Sequence, residues 1–216
     1  MFQYILFDLD GTLTDPREGI TKSVQYALQK MGIDEPELSA LEHFIGPPLH
    51  DEFRRCYAFS DAQAKQAVAH YRERFGEIGW QENILFTGVP DLLRAIRTAG
   101  KKIAIASSKP TVFVEKILRL FEIDVFFDVV SGATLDGSIG TKAEVLEQAL
   151  TQLHVVDRDR AVLVGDRLHD VEGAHALGVR CIGVTFGFGG WKELHDAGAD
   201  QIVSSMEELQ AVLLSE

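Results

Sequence analysis

Tyr4-Ile5-Leu6-Phe7-Asp8-Leu9-Asp10-Gly11-Thr12 decides how the rest of the chain is read. Four apolar residues make a short buried strand. Two carboxylates follow it at the carboxyl end, where an open α/β sheet presents its ligands. Side chains alternate along a strand, so Asp8 and Asp10 face the same way only if the backbone stays extended through Leu9. Two close carboxylates repel, and one of them holds a proton unless a cation lies between them. A hard divalent ion such as Mg2+, with its oxygen ligands, meets that demand. The competing reading is a strand running into an Asp-Gly turn with both acids solvated, and the rest of the chain must decide between the two.

Five further runs read as short buried strands: residues 102–106, 127–130, 161–164, 180–184 and, more weakly, 201–203. Helical patterns separate them. Val89 to Ala99 lies between Gly88 and Gly100, Pro110 to Leu120 opens on a proline suited to a first helical turn, and Thr141-Lys142-Ala143-Glu144 is a capping box. Strand and helix therefore alternate from residue 84 onward, the pattern of an α/β fold with a doubly wound, mostly parallel, Rossmann-like sheet. Residues 17–80 break it. Ile20, Val24, Ala27, Leu28 and Met31 share one helical face, as do Ala64, Val68, Tyr71, Phe75 and Ile78, and no strand is evident between them. The expected organisation is an α/β core of residues 1–16 and 81–216 with an all-helical domain, 17–80, inserted after the first strand. Hinges fall near Thr14-Asp15-Pro16 and Gly79 to Thr87.

Composition narrows the function. The 216 residues are 46% hydrophobic, enough for a sizeable core, and 21 Lys and Arg against 33 Asp and Glu give a net charge of −12. That balance disfavours nucleic-acid polymers and anionic membranes, both of which need basic patches. No apolar run approaches a membrane span, and the N-terminus has no signal-peptide pattern. Cys56 and Cys181 are far apart and in no paired motif, which fits structural thiols in a reducing cytoplasm. The seven histidines show no zinc-like spacing, and His169 and His175 read as surface or supporting residues.

Three other segments fall where the first one predicts. Ser107 and Ser108 follow the strand 102–106 at a helix start, where a hydroxyl and free backbone N–H groups can hold a phosphate oxygen, although a plain helix cap is the commoner role. Lys142 stands in the first turn of the Thr141 helix, disfavoured there by the helix dipole, so a bound anion explains it better than solvation. Gly165-Asp166-Arg167-Leu168-His169-Asp170 follows the strand 161–164, putting Asp166 at a strand end like Asp8 and Asp170 one helical turn beyond. Gly137 to Lys142 only echoes a P-loop, lacking the Gly-Lys-Ser/Thr order. The Asp8 segment fails as a calcium loop, with Leu13 and Gly19 where Gly and Glu are required. Gly187-Phe188-Gly189-Gly190 is too short for a dinucleotide fingerprint and reads as a flexible rim loop.

FDLDGTLTD, IASSKP, the Lys142 helix and VGDRLHDVEGA together resemble, in order and spacing, the four motifs of haloacid dehalogenase-like phosphohydrolases. The resemblance spans the chain, and residues 17–80 match the helical cap of the phosphoglycolate phosphatase-like and 5′-nucleotidase-like branch. It implies that Asp8 attacks the substrate phosphorus to form an aspartyl-phosphate, and that Asp10 protonates the leaving alcohol and then activates water. Asp8, Asp10 (through its backbone carbonyl) and Asp166 would bind Mg2+, with Asp170 as a ligand or its support. Gly11, Ser107, Ser108 and Lys142 would hold the phosphoryl group.

The implied partner is a small phosphate ester handled by a monomer or weak dimer, and the cap would select it. Gly46-Pro47-Pro48, followed by Leu49, breaks the helical pattern and stiffens a loop, making it the candidate specificity segment beside Lys22. Arg17, His43, His50, Arg54 and Arg55 are further cationic or titratable cap residues that could meet a second anionic group. The leading expectation is a phosphoglycolate phosphatase-like phosphomonoesterase. Its alternatives are a 5′-nucleotidase, a sugar phosphomutase on the same scaffold, and a non-catalytic phosphate-binding protein.

Overall fold

Ile5, Leu6 and Phe7 have no solvent exposure at all, so the first apolar run must sit inside a sheet rather than at its edge. The computed structural model, which describes residues 1–215, has this run as β1 (Tyr4–Phe7), followed by β2 (Thr14–Asp15), α1 (Arg17–Lys30), α2 (Leu49–Tyr57), α3 (Asp61–Arg74) and β3 (Ile84–Leu85). Then come α4 (Val89–Thr98), β4 (Lys102–Pro110), α5 (Thr111–Leu120), β5 (Val129–Ala133), α6 (Lys142–Gln152) and β6 (Ala161–Gly165). The chain ends with α7 (Leu168–Ala176), β7 (Arg180–Val184), α8 (Gly190–Asp196), β8 (Gln201–Val203) and α9 (Met206–Leu214).

The main sheet is parallel with strand order β5-β4-β1-β6-β7-β8. Pairing Tyr4 with Lys102 on one side and Ala161 on the other brings Phe7, Ile105 and Val164 level across the three central strands. The order reverses between β1 and β6, and in doubly wound sheets ligands bind outside the carboxyl ends at such a switch point. Leu6, Ala104, Ala106 and Leu163 face a core shared with Val145, Leu146 and Ala149 of α6 and Val171 and Ala174 of α7. By strand alternation, the buried Ile5, Phe7, Ile103, Ile105, Val162 and Val164 point to the opposite face.

The chain divides into two units, residues 1–15 with 85–216, and 16–84. The boundary after the first strand falls one residue from its expected place and the return boundary four residues later. The two-residue strands at these boundaries, β2 and β3, carry too little alternation to be read from sequence. In the second unit, Ile20, Val24, Ala27 and Leu28 are buried on α1, and Ala64, Ala67 and Tyr71 on α3. Ser60 and Gln63 form a capping box at the α3 start. Ile78, expected on the apolar face, is 48% exposed. Residues Phe75–Gly79 wind as a π-helix, whose wider turn rotates Ile78 off the stripe.

Two strand assignments also shift. β4 runs on to Pro110 instead of ending at Ala106, with a register irregularity between Ser107 and Pro110, so Ser108 and Lys109 lie on a bulged strand end and α5 starts at Thr111. β5 begins at Val129, because Phe127 closes a 3-10 turn onto Asp124. Asp128 is instead held at the sheet edge by Lys102 at 2.9 Å and Arg97 at 2.6 Å.

Candidate active site

The site assembles at the switch point from three strand ends and one helix start, all within the first unit. After Phe7 the backbone bends at the fully buried Leu9, and the amides of Leu13 and Thr14 donate to the Leu9 carbonyl at 2.9 and 3.1 Å. This turn separates the two acids. Asp8 gathers with Asp166 and Asp170, one carboxylate oxygen of each lying within 4.8 Å of the others. The Asp10 side chain instead forms an ion pair with Lys109 on the bulged end of β4. Lys109 stands beside Ser108 in the same segment, and nothing in its local pattern marks it as the partner of Asp10.

Lys142 is the centre of charge. Its Nζ lies 2.8 Å from Asp8 Oδ1 and 2.7 Å from Asp170 Oδ1, and donates to the Ala106 carbonyl at 3.0 Å. Burial alone would lower the pKa of this ammonium, but Asp170 and Asp8 raise it well above the usual lysine range. The capping box that starts α6 has Thr141 Oγ1 accepting from the Glu144 amide at 3.3 Å and Glu144 Oε2 accepting from the Thr141 amide at 2.9 Å. It fixes the turn from which Lys142 projects.

Four negative groups share a volume with two ammonium groups, and the balance is incomplete. Asp8 Oδ1, Asp10 Oδ1, Asp166 Oδ1 and Asp170 Oδ1 are buried and accept no aligned hydrogen bond, and the buried Thr12 Oγ1 also has none. Lys142 approaches two of these oxygens closely but off the hydrogen-bond axis. Burial, with the Asp170 charge, raises the pKa of Asp166 well above the carboxylate range. Burial raises Asp170 and Asp10 as well, against the opposing pull of Lys142 and Lys109. Oxygen-only donors with unsatisfied lone pairs are what a hard divalent cation takes. Asp8, Asp166 and Asp170 thus form a cluster that could hold a metal ion.

Backbone geometry locks the cluster in place. Gly11 has φ +80, and a Cβ there would lie 2.2 Å from Asp166 Oδ2. The Gly187 segment, expected as a flexible rim, packs directly on the acids. A Cβ on Gly187 would meet the Gly11 carbonyl at 2.3 Å and Asp166 Oδ2 at 2.4 Å, and the Phe188 amide donates to Asp166 Oδ2 at 2.7 Å. Glu193 of α8 accepts from Arg167 Nε and from the Leu168 amide, both at 2.8 Å, at the start of α7. The only hint of this support in the sequence is three glycines around Phe188 after a strand, a pattern too common to single out. Ser107 is buried, and its Oγ accepts from the Lys109 amide at 3.4 Å; Ser108 is half-buried beside it.

The remaining candidates lie in the second unit. Lys22 pairs with Glu18 and, at 3.4 Å, with Glu82. Arg17 pairs with Glu42, Arg55 with Glu52, and His50 with Asp51 and Asp61, while Arg54 is exposed. Gly46, with φ +106, and Pro47 connect a 3-10 turn, Leu38–Phe44, to α2, and Pro48 caps that helix. His169 is 3.9 Å from Glu172 and His175 is 2.9 Å from Asp200, both part-exposed.

A parallel sheet in this order, with acids after two adjacent central strands and a buried lysine between them, defines a phosphoryl-handling α/β hydrolase. The chain belongs to the haloacid dehalogenase-like hydrolase family, whose model matches residues 5–184, and it is a phosphatase of that family. It is 47% identical over 211 residues to a 5′-nucleotidase of Pseudomonas aeruginosa, covering 98% of this chain and 95% of the relative. It is 31% identical to a phosphoglycolate phosphatase of Pseudomonas putida, covering 97% and 78%. A relative named tyrosine-protein kinase PtkA, from Mycobacterium tuberculosis, is 43% identical over 87% of this chain but only 63% of its own length. Among solved structures, one described as a predicted phosphatase from Clostridium acetobutylicum superposes with a TM-score of 0.96 at 43% identity, over 99% of both chains. No helix among the described residues is long and apolar enough to cross a membrane.

Proposed function

We propose that the chain hydrolyses small phosphate monoesters with Mg2+ bound by Asp8, the Asp10 backbone carbonyl and Asp166, with Asp170 as a further ligand or their support, through a phosphorylated Asp8. The observation that carries this reading is the set of four buried carboxylate oxygens without aligned partners, two of them 2.8 and 2.7 Å from the Lys142 ammonium. The bound ion would neutralise the acids and the phosphoryl oxygens as charge shifts in transfer. Lys142 Nζ, 2.8 Å from Asp8 Oδ1, holds the nucleophilic carboxylate in place. An Asp8 oxygen bonds to phosphorus as the ester P–O bond breaks, and Asp10 gives its proton to the departing alkoxide. Burial favours the protonated form of Asp10 that this first step needs, while Lys109 favours the carboxylate needed for the second. In that step Asp10 takes a proton from water, the water oxygen bonds to phosphorus, and the Asp8–phosphorus linkage breaks. Gly11, Ser107 and Ser108 supply donors for the phosphoryl oxygens.

Within the substrate class, the relatives favour nucleoside monophosphates. The protein named a 5′-nucleotidase shares 47% of its residues over nearly the whole chain, against 31% for the one named a phosphoglycolate phosphatase. Initial rates on a set of nucleoside monophosphates and phosphoglycolate, at saturating Mg2+, separate the two. EDTA abolishes turnover, Mg2+ restores it, and Ca2+ supports it poorly because its longer bonds and higher coordination misplace the nucleophile. Asp8→Asn stops turnover. Asp10→Asn lowers it roughly 10²–10⁴-fold and lets an alkali- and hydroxylamine-labile acyl phosphate accumulate on Asp8. Full activity in metal-free buffer, or near-normal rates for Asp8→Asn, would overturn the reading.

A further inference from the structure

His43, Glu52 and Cys56 converge in the helical second unit, and none of them is assigned above to phosphoryl transfer. Glu52 and Cys56 are four residues apart on α2 and so share one helical face, while His43 comes from the last turn of the 3-10 segment before it. Cys56 Sγ is 3.1 Å from His43 Nε2 and 3.6 Å from Glu52 Oε2. One donor atom from each residue lies within 4.8 Å of the other two.

We propose that these three side chains form a second metal site, which takes a borderline-soft divalent ion of the Zn2+ or Co2+ type. The donor set decides the class: sulfur, imidazole nitrogen and one carboxylate oxygen suit Zn2+, whereas Mg2+ and Ca2+ take oxygen. Spacing agrees. A tetrahedral ion with bonds of roughly 2.0–2.3 Å separates sulfur from a nitrogen or oxygen ligand by about 3.6 Å. The Cys56–Glu52 pair already stands at 3.6 Å, and His43 must withdraw by about half an ångström.

The supporting structure is in place. Glu52 is 7% exposed and is held by Arg55 at 3.1 Å through Nε and 2.5 Å through Nη2, and a ligating carboxylate ordinarily has such an outer partner. Phe44 and Phe53, adjacent in sequence to His43 and Glu52, are buried with ring centroids 4.9 Å apart. They clamp the 3-10 turn to α2 and limit how far the ligands can drift. Cys56 is exposed and His43 only half-buried, so an ion reaches the site from solvent and keeps a fourth position open, as three-ligand zinc sites do. On binding, Cys56 gives its thiol proton to solvent and His43 binds neutral. The plain alternative is a thiol donating to an imidazole beside an ordinary Arg–Glu helix pair.

The test adds Co2+ to the metal-free full chain in saturating Mg2+, so that the aspartate cluster is already occupied. The expected result is one equivalent of Co2+ bound with a thiolate-to-metal charge-transfer band that Zn2+ displaces and further Mg2+ does not. Cys56→Ser abolishes the band, whereas Cys181→Ala keeps it. His43→Ala weakens binding by more than the roughly 10–100-fold that loss of an outer partner costs, with circular dichroism confirming that each variant is folded. A wild-type protein that gives no band, a band that survives Cys56→Ser, or one that Mg2+ displaces would overturn the proposal.

Discussion

Replacing Lys142 with Met removes the cation nearest Asp8 and Asp170 while keeping most of the side chain's volume. The ammonium is 2.8 and 2.7 Å from the two buried carboxylates, and losing one partner of a buried ion pair costs on the order of 3–5 kcal/mol. A second limit comes from proton uptake, since a stranded carboxylate can neutralise itself. For an aspartate of ordinary pKa near 3.9 this costs about 1.36 kcal/mol per pH unit, about 4 kcal/mol at pH 7 and about 1.5 kcal/mol at pH 5. The two limits agree at neutral pH, so the metal-free variant loses about 3–4 kcal/mol there. The sign follows from linkage. The raised pKa of Lys142 makes its contribution complete below the unfolded lysine value and lost only above the folded one, so the wild type draws on it fully at both pH values. The variant's acids gain protons on folding as pH falls, so its deficit shrinks to about 1.5 kcal/mol or less per carboxylate at pH 5. Urea unfolding of wild type and variant at pH 7 and pH 5, with and without Mg2+, measures this directly. Mg2+ recovers part of the stability lost at pH 7 but not the catalytic rate, which falls by at least roughly 10²–10³-fold. A deficit below about 1 kcal/mol at pH 7, or one independent of pH, would show that the acids do not depend on Lys142 for their charge.

Other perturbations reach the site and the second unit separately. Gly187→Ala puts a methyl group against the Gly11 carbonyl and Asp166, so Mg2+ affinity, followed by activation curves, falls roughly 10–100-fold as expected for a displaced support. Gly140→Ala, which meets nothing within 4 Å, serves as the neutral control, and equal behaviour of the two would refute the packing argument. In the second unit, Arg74 makes two bonds to Glu82, at 2.7 and 2.9 Å, and lowers its pKa despite partial burial. Glu82→Gln therefore costs roughly 1.5–3 kcal/mol at pH 7. Because a depressed carboxylate stabilises above its unfolded pKa, the cost fades as pH drops below about 4.3, and urea midpoints across that range would expose a constant cost as a contradiction.

The local sequence determined the parts of this protein that depend on short-range chemistry. Apolar runs closed by turn residues located the six strands of the main sheet, and the Thr141 capping box located α6. Those signals are legible because strand burial, capping and helical faces repeat over a few residues. Asp8, Lys142, Asp166 and Asp170 were singled out because each stands just beyond such a signal. What needed the tertiary structure is everything set by strands meeting across the sheet. The order that brings β1 beside β6 puts Asp166 and Asp170, about 160 residues away in the chain, against Asp8. The turn after Leu9 parts Asp10 from the other acids, and the bulge at the end of β4 gives Asp10 its own partner in Lys109. The Gly187 segment looked like loose punctuation because a glycine's meaning lies in what would collide with its missing side chain. Here that neighbour is Asp166, and only folding brings it there.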